Sequence, residues 1–347
     1  MQNQSAYLLK AFEFEIRDVP MPECGPDDII IEIKHVGVCG SDVGFFEDPT
    51  YGGFVKEPPL PFILGHECAG IVCRTGKDVK HLKEGDRVAV EPGIPCGKCD
   101  YCLEGRYNLC DNMIFMASPP FQTAALSRYI SYPAFMAFKL PDSVSTLEGA
   151  MFEPFAVGMH AAKRSGISLG KTAVVLGSGC IGLMTLLACR ALGASAVIIA
   201  DLYDNRLAKA KELGASAVIN SARQNLMEEV FRLTGGKGAD FVFETAGSKV
   251  TAAMTPDLVK KGGKIVLVGN VHEDVPINQL QLNNNEVDVL SVFRYHGIYP
   301  LVLDAVASGK VDVSGVVSHT FKFEEVQKAF ECALHEKQTA VKVAIEF

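Results

Sequence analysis

The hydrophobic positions follow two patterns that change near residue 170. Between about 170 and 290, apolar runs of strand length alternate with helical stretches. KTAVVLG, IGLMTLLACRAL, SAVIIAD and NRLAKAKEL come first, then DFVFETAG and KIVLVGN. Continuous apolar strands are buried on both faces. Their alternation with helices predicts βαβ units, hence a parallel sheet with helices on both sides. The first 150 residues read as β-rich and loop-rich. IIIEIKHVGV (29–38) and GDRVAVEP (85–92) are short strands bounded by turn residues. Pro58, Pro59, Pro61 and the Gly52-Gly53 pair mark loop. From 291 the pattern mixes: a helix at PLVLDAVASG, a short VVSHTF strand, a helix from Glu324 and a closing strand VKVAIEF. No repeat, low-complexity tract or flexible linker is evident.

At 347 residues the chain is too long for one ordinary core, which predicts two domains. With 48% hydrophobic and 21% charged residues, global disorder is excluded. A formal net charge of −8 argues against nucleic acid and anionic membrane as partners. No apolar run approaches the roughly 18 residues of a membrane span, and MQNQSAYLLKAFEFE lacks a signal-peptide pattern. The 11 cysteines are an odd number, and four of them crowd into 15 residues. In a long chain without a secretion signal this predicts a reduced, cytoplasmic setting and a metal rather than disulfides.

The strand VVLG runs into Gly177-Ser178-Gly179-Cys180-Ile181-Gly182 and then a helix. The first glycine of G-x-G-x-x-G permits the tight turn. The second lets backbone approach a pyrophosphate, and the third lets helix pack on strand. Asp201 ends the next apolar strand, 19 residues after Gly182. A carboxylate there accepts from ribose hydroxyls and repels a 2′-phosphate, which favours NAD over NADP. The bland alternative for Asp201 is a helix N-cap before NRLAKA. Arg206 lies beside the adenine or is a solvated helix residue, and its charge weakens the exclusion of NADP.

Cys96-x2-Cys99-x2-Cys102-x7-Cys110 is the strongest local signal. Four thiolates wrap one tetrahedral zinc and leave no open position, so the expected role is structural. A zinc module reading nucleic acid is disfavoured, since Asp100, Glu104 and Asp111 oppose Lys98 and Arg106. A second set is scattered: Cys39 in GVCGSD, His66 and Glu67 in LGHECAG, and Glu153 in FEPFAVG. Spacing alone does not join residues 27 and 86 positions apart. Taken alone, a histidine like His66 is more often a hydrogen-bonded core histidine, and Glu67 a surface charge.

The series GVCGSD, LGHE, GDRVAVEP, the four-cysteine loop with GRYNLC, FEPFAVG, GSGCIG and ETAG resembles the zinc-dependent medium-chain dehydrogenase/reductase superfamily in motif and order. SVFRY (291–295) and FMASPP (115–120) are similar to its polyol branch, the sorbitol and xylitol dehydrogenases. The resemblance covers nearly the whole chain. It implies an α/β protein with a GroES-like, β-rich catalytic domain and a Rossmann doubly wound parallel-sheet domain. The catalytic domain would comprise residues 1–155 and return at 291–347, with the NAD-binding domain inserted at 156–290. Cys39, His66 and Glu67 would hold a catalytic zinc, with Glu153 reaching it through water or transiently. Ser41 would start a proton relay. Phe45, Phe115, Glu153, Arg294 and Tyr295 would face substrate. Gly177, Gly179, Ile181, Gly182, Asp201, Arg206, Val268, Gly269, Asn270, Val292, Phe293 and Arg294 would border the cofactor. The reaction implied is hydride transfer between a polyol and NAD, giving the ketose. The expected partner is a small polyol or ketose, in a homodimer or homotetramer.

Two departures bear on the substrate. In the polyol branch the stretch after C-G-S-D-V usually continues with His and Tyr. Here it continues with Gly44, Phe45 and Phe46, so the usual relay histidine is missing. FQTAAL (121–126) replaces a more polar, glycine-containing segment. The competing readings are another branch, such as a threonine, diol or secondary alcohol dehydrogenase, and a non-enzymatic binding protein on the same scaffold. The second would be favoured by loss of the zinc ligands or the glycine fingerprint, and neither is lost.

Overall fold

A computed structural model describes residues 2–347. The chain divides into two compact units, Met1–Glu153 with Tyr299–Phe347, and Pro154–Ile298. Residues 291–298 therefore group with the second unit rather than with the returning tail. The local reason is pairing: the strand Asp288–Ser291 runs parallel to Val259–Leu267, and Val292 N–H donates to Leu267 O at 2.9 Å.

The first unit is built on a seven-stranded sheet. Its path runs Ala137–Lys139, Arg87–Val90, Glu67–Thr75, Asp28–Val38, Val343–Glu346, His319–Lys322, with Tyr129–Pro133 paired to Asp28–Val38 off the path. The long apolar run at 29–38 is central because Ile29, Ile31 and Ile33 are wholly buried. Its Gly37 pairs with Glu67 and its Val38 with Val343. The C-terminal strand thus lies directly beside the strand that ends at Cys39. A hairpin of Asn3–Lys10 and Glu13–Val19, not evident from patterning, forms a second small sheet with Phe62–Ile63. Leu8, Phe46, Leu64 and Phe330 belong to the core that joins these layers.

The second unit is a six-stranded sheet, parallel throughout. Its order is Ala217–Asn220, Ala196–Asp201, Thr172–Leu176, Ala239–Glu244, Val259–Leu267, Asp288–Ser291. In chain order this is 3-2-1-4-5-6, the doubly wound dinucleotide arrangement. Val174, Ile198, Val242 and Ile265 fill its core, as strands covered on both faces require. The first and fourth strands are neighbours, so the order reverses between them. The fingerprint loop leaves the first strand at that reversal, where ligands bind in open α/β sheets.

Candidate active site

In the second unit, Gly177 follows the strand Thr172–Leu176 with φ +99°, a conformation side chains resist. The helix Cys180–Ala191 starts immediately after, with Gly179 as its N-cap. A Cβ on Gly182 would strike the Gly177 carbonyl, so only glycine allows the helix this close. Asp201 is not a helix cap. Its Oδ2 accepts from the Ser178 N–H at 2.7 Å and its Oδ1 from the Tyr203 N–H at 3.0 Å, fixing the carboxylate over the glycine loop. Arg206 is not a solvated helix residue either. Its Nη1 would lie 3.6 Å from a Cβ at Gly179, its carbonyl accepts from Ser178 Oγ, and its guanidinium lies 5.7 Å from the Tyr203 ring centroid.

Glu244 organises the opposite wall, and sequence reading overlooked it. Its side chain accepts from Ala246 N–H and Gly247 N–H at 3.0 Å and from Thr251 Oγ1 at 2.7 Å. Its backbone carbonyl accepts from Val268 and Gly269 N–H at 2.9 Å. Burial raises its pKa against those hydrogen bonds. Gly269 approaches Gly247 too closely for any side chain. Arg294 adopts φ +52°, uncommon for a non-glycine residue, and its guanidinium lies 4.9 Å from the Phe293 ring centroid. Tyr295 is buried at 3% exposure.

In the first unit, the tertiary fold brings together what spacing left apart. Cys39, His66 and Glu67 place one donor atom each within 4.8 Å of one another. Cys39 caps the helix Gly40–Glu47. His66 precedes the strand Glu67–Thr75, and the pairing of Gly37 with Glu67 sets the two segments side by side. Asp42, one turn after Cys39, is 1% exposed and lies 3.3 Å from His66 Nδ1. A carboxylate on Nδ1 leaves Nε2 as the ligating nitrogen. Burial disfavours the His66 cation, but Asp42 and then Cys39 overcome it and hold the imidazole pKa well above its ordinary value. A cluster that so strongly favours positive charge suits a divalent cation. Ser41 Oγ donates to Cys39 Sγ at 3.4 Å.

Glu67 has a partner that no local pattern signalled. Lys342 Nζ, 275 positions away, donates to Glu67 Oε1 at 2.8 Å and Oε2 at 2.7 Å, and to the Val38 carbonyl at 3.1 Å. Both residues are buried. Each carboxylate oxygen has two lone pairs, so the ammonium leaves acceptor capacity toward Cys39 and His66.

The aromatics expected to face substrate divide. Phe115 lies with its ring 5.6 Å from the His66 ring. Phe45 is 4% exposed and packs on Phe62, Phe121 and Tyr51, so it backs the wall instead of facing an open pocket. The space beside Gly44 is filled by the Tyr51 ring, which a Cβ there would hit. Burial, then the charges of Cys39 and Asp42, raise the Tyr51 phenol pKa. Tyr51 went unnoticed in the sequence, although a glycine in place of a larger residue signals that something else fills its volume.

The four-cysteine loop is a separate constellation. All four sulfurs lie within 4.8 Å of one another. Cys99 and Cys102 are 3.5 Å apart and Cys96 and Cys102 4.0 Å. Zinc–sulfur bonds of about 2.3 Å give tetrahedral edges of about 3.8 Å, so the sulfurs fit one zinc and are too far apart for a disulfide. Backbone N–H groups of Lys98 and Cys99 pull the Cys96 thiol down to about 6. The loop is tied inward by Tyr107, whose hydroxyl donates to Glu91 Oε1 at 2.8 Å. Burial pushes Glu91 up to about 7 against that bond, and Glu153 adds to the rise. Glu153 is 5% exposed, in the first turn of Phe152–Ser165.

Comparison with known proteins shows the family. Residues 25–142 match the alcohol dehydrogenase GroES-like domain and residues 180–308 the zinc-binding dehydrogenase domain. A sorbitol dehydrogenase of Bacillus subtilis is 40% identical over 99% of this chain and 97% of its own. An Escherichia coli oxidoreductase/dehydrogenase of unknown specificity superposes with a TM-score of 0.96 at 44% identity, covering 100% of this chain and 99% of that one. A zinc-binding dehydrogenase of Sinorhizobium meliloti, bound to NADP, superposes with a TM-score of 0.91 at 29% identity over the full length of both chains. Among the described residues no helix is long and apolar enough to cross a membrane. The chain belongs to the zinc-dependent medium-chain dehydrogenase/reductase superfamily, in its polyol branch, and is an oxidoreductase of the zinc-type alcohol dehydrogenase kind.

Proposed function

We propose that the chain interconverts a small acyclic polyol and its ketose with NAD. The observation that carries this reading is the Cys39–His66–Glu67 donor cluster, three ligands with a coordination position to spare. The 40% identity to a sorbitol dehydrogenase supports the polyol class. When bound, zinc supplies a Lewis acid at the substrate oxygen and NAD a hydride acceptor. Cys39, His66 and Glu67 would hold the metal, with Glu153 reaching it through water or transiently. The four cysteines 96, 99, 102 and 110 hold a structural zinc.

The chain's own groups do the rest. The Ser41 hydroxyl takes the substrate proton and passes it to solvent water, since Gly44 offers no relay side chain. Tyr51 restores a polar group to the wall beside Cys39. Arg294 provides up to five donors and Tyr295 a phenol, enough to hold a row of hydroxyls. The left-handed backbone at Arg294 is the kind of strain that persists where a side chain must be aimed. Asp201 favours NAD by accepting from ribose hydroxyls, and Arg206 beside Gly179 moderates that preference.

The test is kcat/KM for sorbitol, xylitol, 2,3-butanediol and 2-propanol, with wild type and Arg294→Ala. Unpaired buried donors cost about 1–3 kcal/mol each, so 2-propanol should react roughly tenfold or more slowly than the polyols. Gly44 takes a polar side chain away from the wall, which favours shorter or deoxygenated polyols over hexitols. If 2-propanol matches xylitol, or Arg294→Ala leaves xylitol turnover unchanged, the chain is a simple secondary alcohol dehydrogenase.

A further inference from the structure

A third set of metal-ligating side chains lies in the first unit, outside both cysteine constellations already described. His319 opens the strand His319–Lys322. Cys332 lies in the helix Val326–His335, and Glu336 is that helix's C-cap. Cys332 and Glu336 are four positions apart, so they share one helix face. The three residues place one donor atom each within 4.8 Å of one another. His319 Nε2 lies 4.0 Å from Glu336 Oε2. Cys332 is 6% exposed and forms the floor. The side chains of His319 and Glu336 are 31% and 57% exposed and form an accessible rim.

The imidazole is oriented as a ligand. Ser318 Oγ lies 3.0 Å from His319 Nδ1. The one proton of that hydroxyl goes to the Lys342 carbonyl at 3.0 Å. The ring nitrogen is therefore the donor, which leaves the Nε2 lone pair facing Glu336. A histidine whose far nitrogen is held by a hydrogen bond is the usual arrangement of a metal-binding imidazole. Ser318 Oγ also accepts from the Val341 N–H at 2.9 Å, so the ring is anchored to the segment 340–342.

We propose that His319, Cys332 and Glu336 form a third cation site, open to solvent and suited to a borderline or soft divalent ion such as zinc. The donor set decides the class. One imidazole nitrogen, one thiolate and one carboxylate match zinc, cadmium or cobalt, whereas magnesium and calcium require oxygen ligands. Thiolate and carboxylate together carry two negative charges, which the ion neutralises. Binding releases the Cys332 proton to solvent. Exposed Glu336 supplies the movement that closes 4.0 Å toward a bonding edge. Water completes the shell, so the site binds more weakly than the four-cysteine loop.

The site leads directly to Lys342, whose ammonium holds Glu67. Occupancy therefore tightens the turn that carries this lysine and should raise Tm.

The test uses the full chain with its zinc already loaded and counted. Cobalt and cadmium are then titrated while absorbance and metal stoichiometry are followed. The wild type should take up one further equivalent with a thiolate-to-metal charge-transfer band, and magnesium should not compete. Cys332→Ser should lose the band, His319→Gln should lose the equivalent, and Glu336→Gln should weaken binding tenfold or more. His319 and Glu336 are exposed enough that those variants fold even if Cys332→Ser does not. No further equivalent up to millimolar metal overturns the site. So does an equivalent kept unchanged in both His319→Gln and Glu336→Gln.

Discussion

The two units carry their chemistry in opposite ways. In the parallel-sheet unit the dinucleotide residues follow local order: strand, Gly177 to Gly182, helix, strand, Asp201. In the β-rich unit the central donors Cys39, His66 and Glu67 depend on antiparallel pairing of distant segments, and Glu67 depends further on Lys342. A βαβ unit is a short-range object whose turn chemistry must be written in consecutive residues. An antiparallel sheet can join any two strands, so its sites leave little trace in spacing. The four-cysteine loop is the exception within the β-rich unit, because one metal can gather a single short loop.

The sharpest way to test this contrast is Cys39→Ser. A lost Lewis-acid ligand removes several kcal/mol of transition-state stabilisation, so kcat should fall by about 10³-fold or more with Tm nearly unchanged. Cys99→Ser should do the reverse, lowering Tm and the zinc content while sparing the turnover of molecules still folded. Metal analysis and calorimetry on both variants decide it. A single zinc in wild type, with activity intact after Cys39→Ser, would falsify the assignment of two roles.

Next in size is Lys342→Met. Removing one partner of a buried ion pair leaves the other charge uncompensated, at about 3–5 kcal/mol. Urea unfolding should show that loss, and the double variant Lys342→Met with Glu67→Gln should recover part of it. If the single variant is as stable as wild type, Glu67 is not held as described.

In the other unit, Asp201→Ala should weaken NAD binding by about 1–3 kcal/mol and narrow the gap to NADP. Titration of both cofactors measures it. Equal use of NADP by the wild type would mean that Arg206 outweighs Asp201.

The smallest effect is one of pH. Burial, then His296, Arg164 and Lys163, push His160 down to about 4. The unfolded chain takes up this proton below about pH 6.5, while the folded chain stays neutral to about pH 4. The unfolded state binds more protons in between, so stability is full above about 6.5 and falls as the pH drops toward 4. His160→Gln should remove this share of the acid sensitivity, on the order of 1 kcal/mol after solvent screening. Tm measured at pH 4.5 and 7.5 for both proteins reads it, and an unchanged difference rejects the role of His160.

Sequence by itself determined the parallel sheet, because buried strands and their helices are contiguous runs. Gly177, Gly182 and Asp201 were legible for the same reason, as were the four cysteines. Cys39, His66 and Glu67 were legible only through a resemblance in motif order. Local reading also missed the first hairpin, the carboxylate of Glu244 on the 246–247 turn, the lysine on Glu67, the tyrosine over Gly44, and the cluster at His319, Cys332 and Glu336. The lysine on Glu67 and the cluster join side chains brought together by strand pairing or by helix packing on a sheet. Tyr51, by contrast, folds back over Gly44 through the turn that follows the helix Gly40–Glu47. Lys342 meets Glu67 because Val343–Glu346 and Glu67–Thr75 both pair with Asp28–Val38. No propensity or spacing records that adjacency, since it exists only once the sheet has formed.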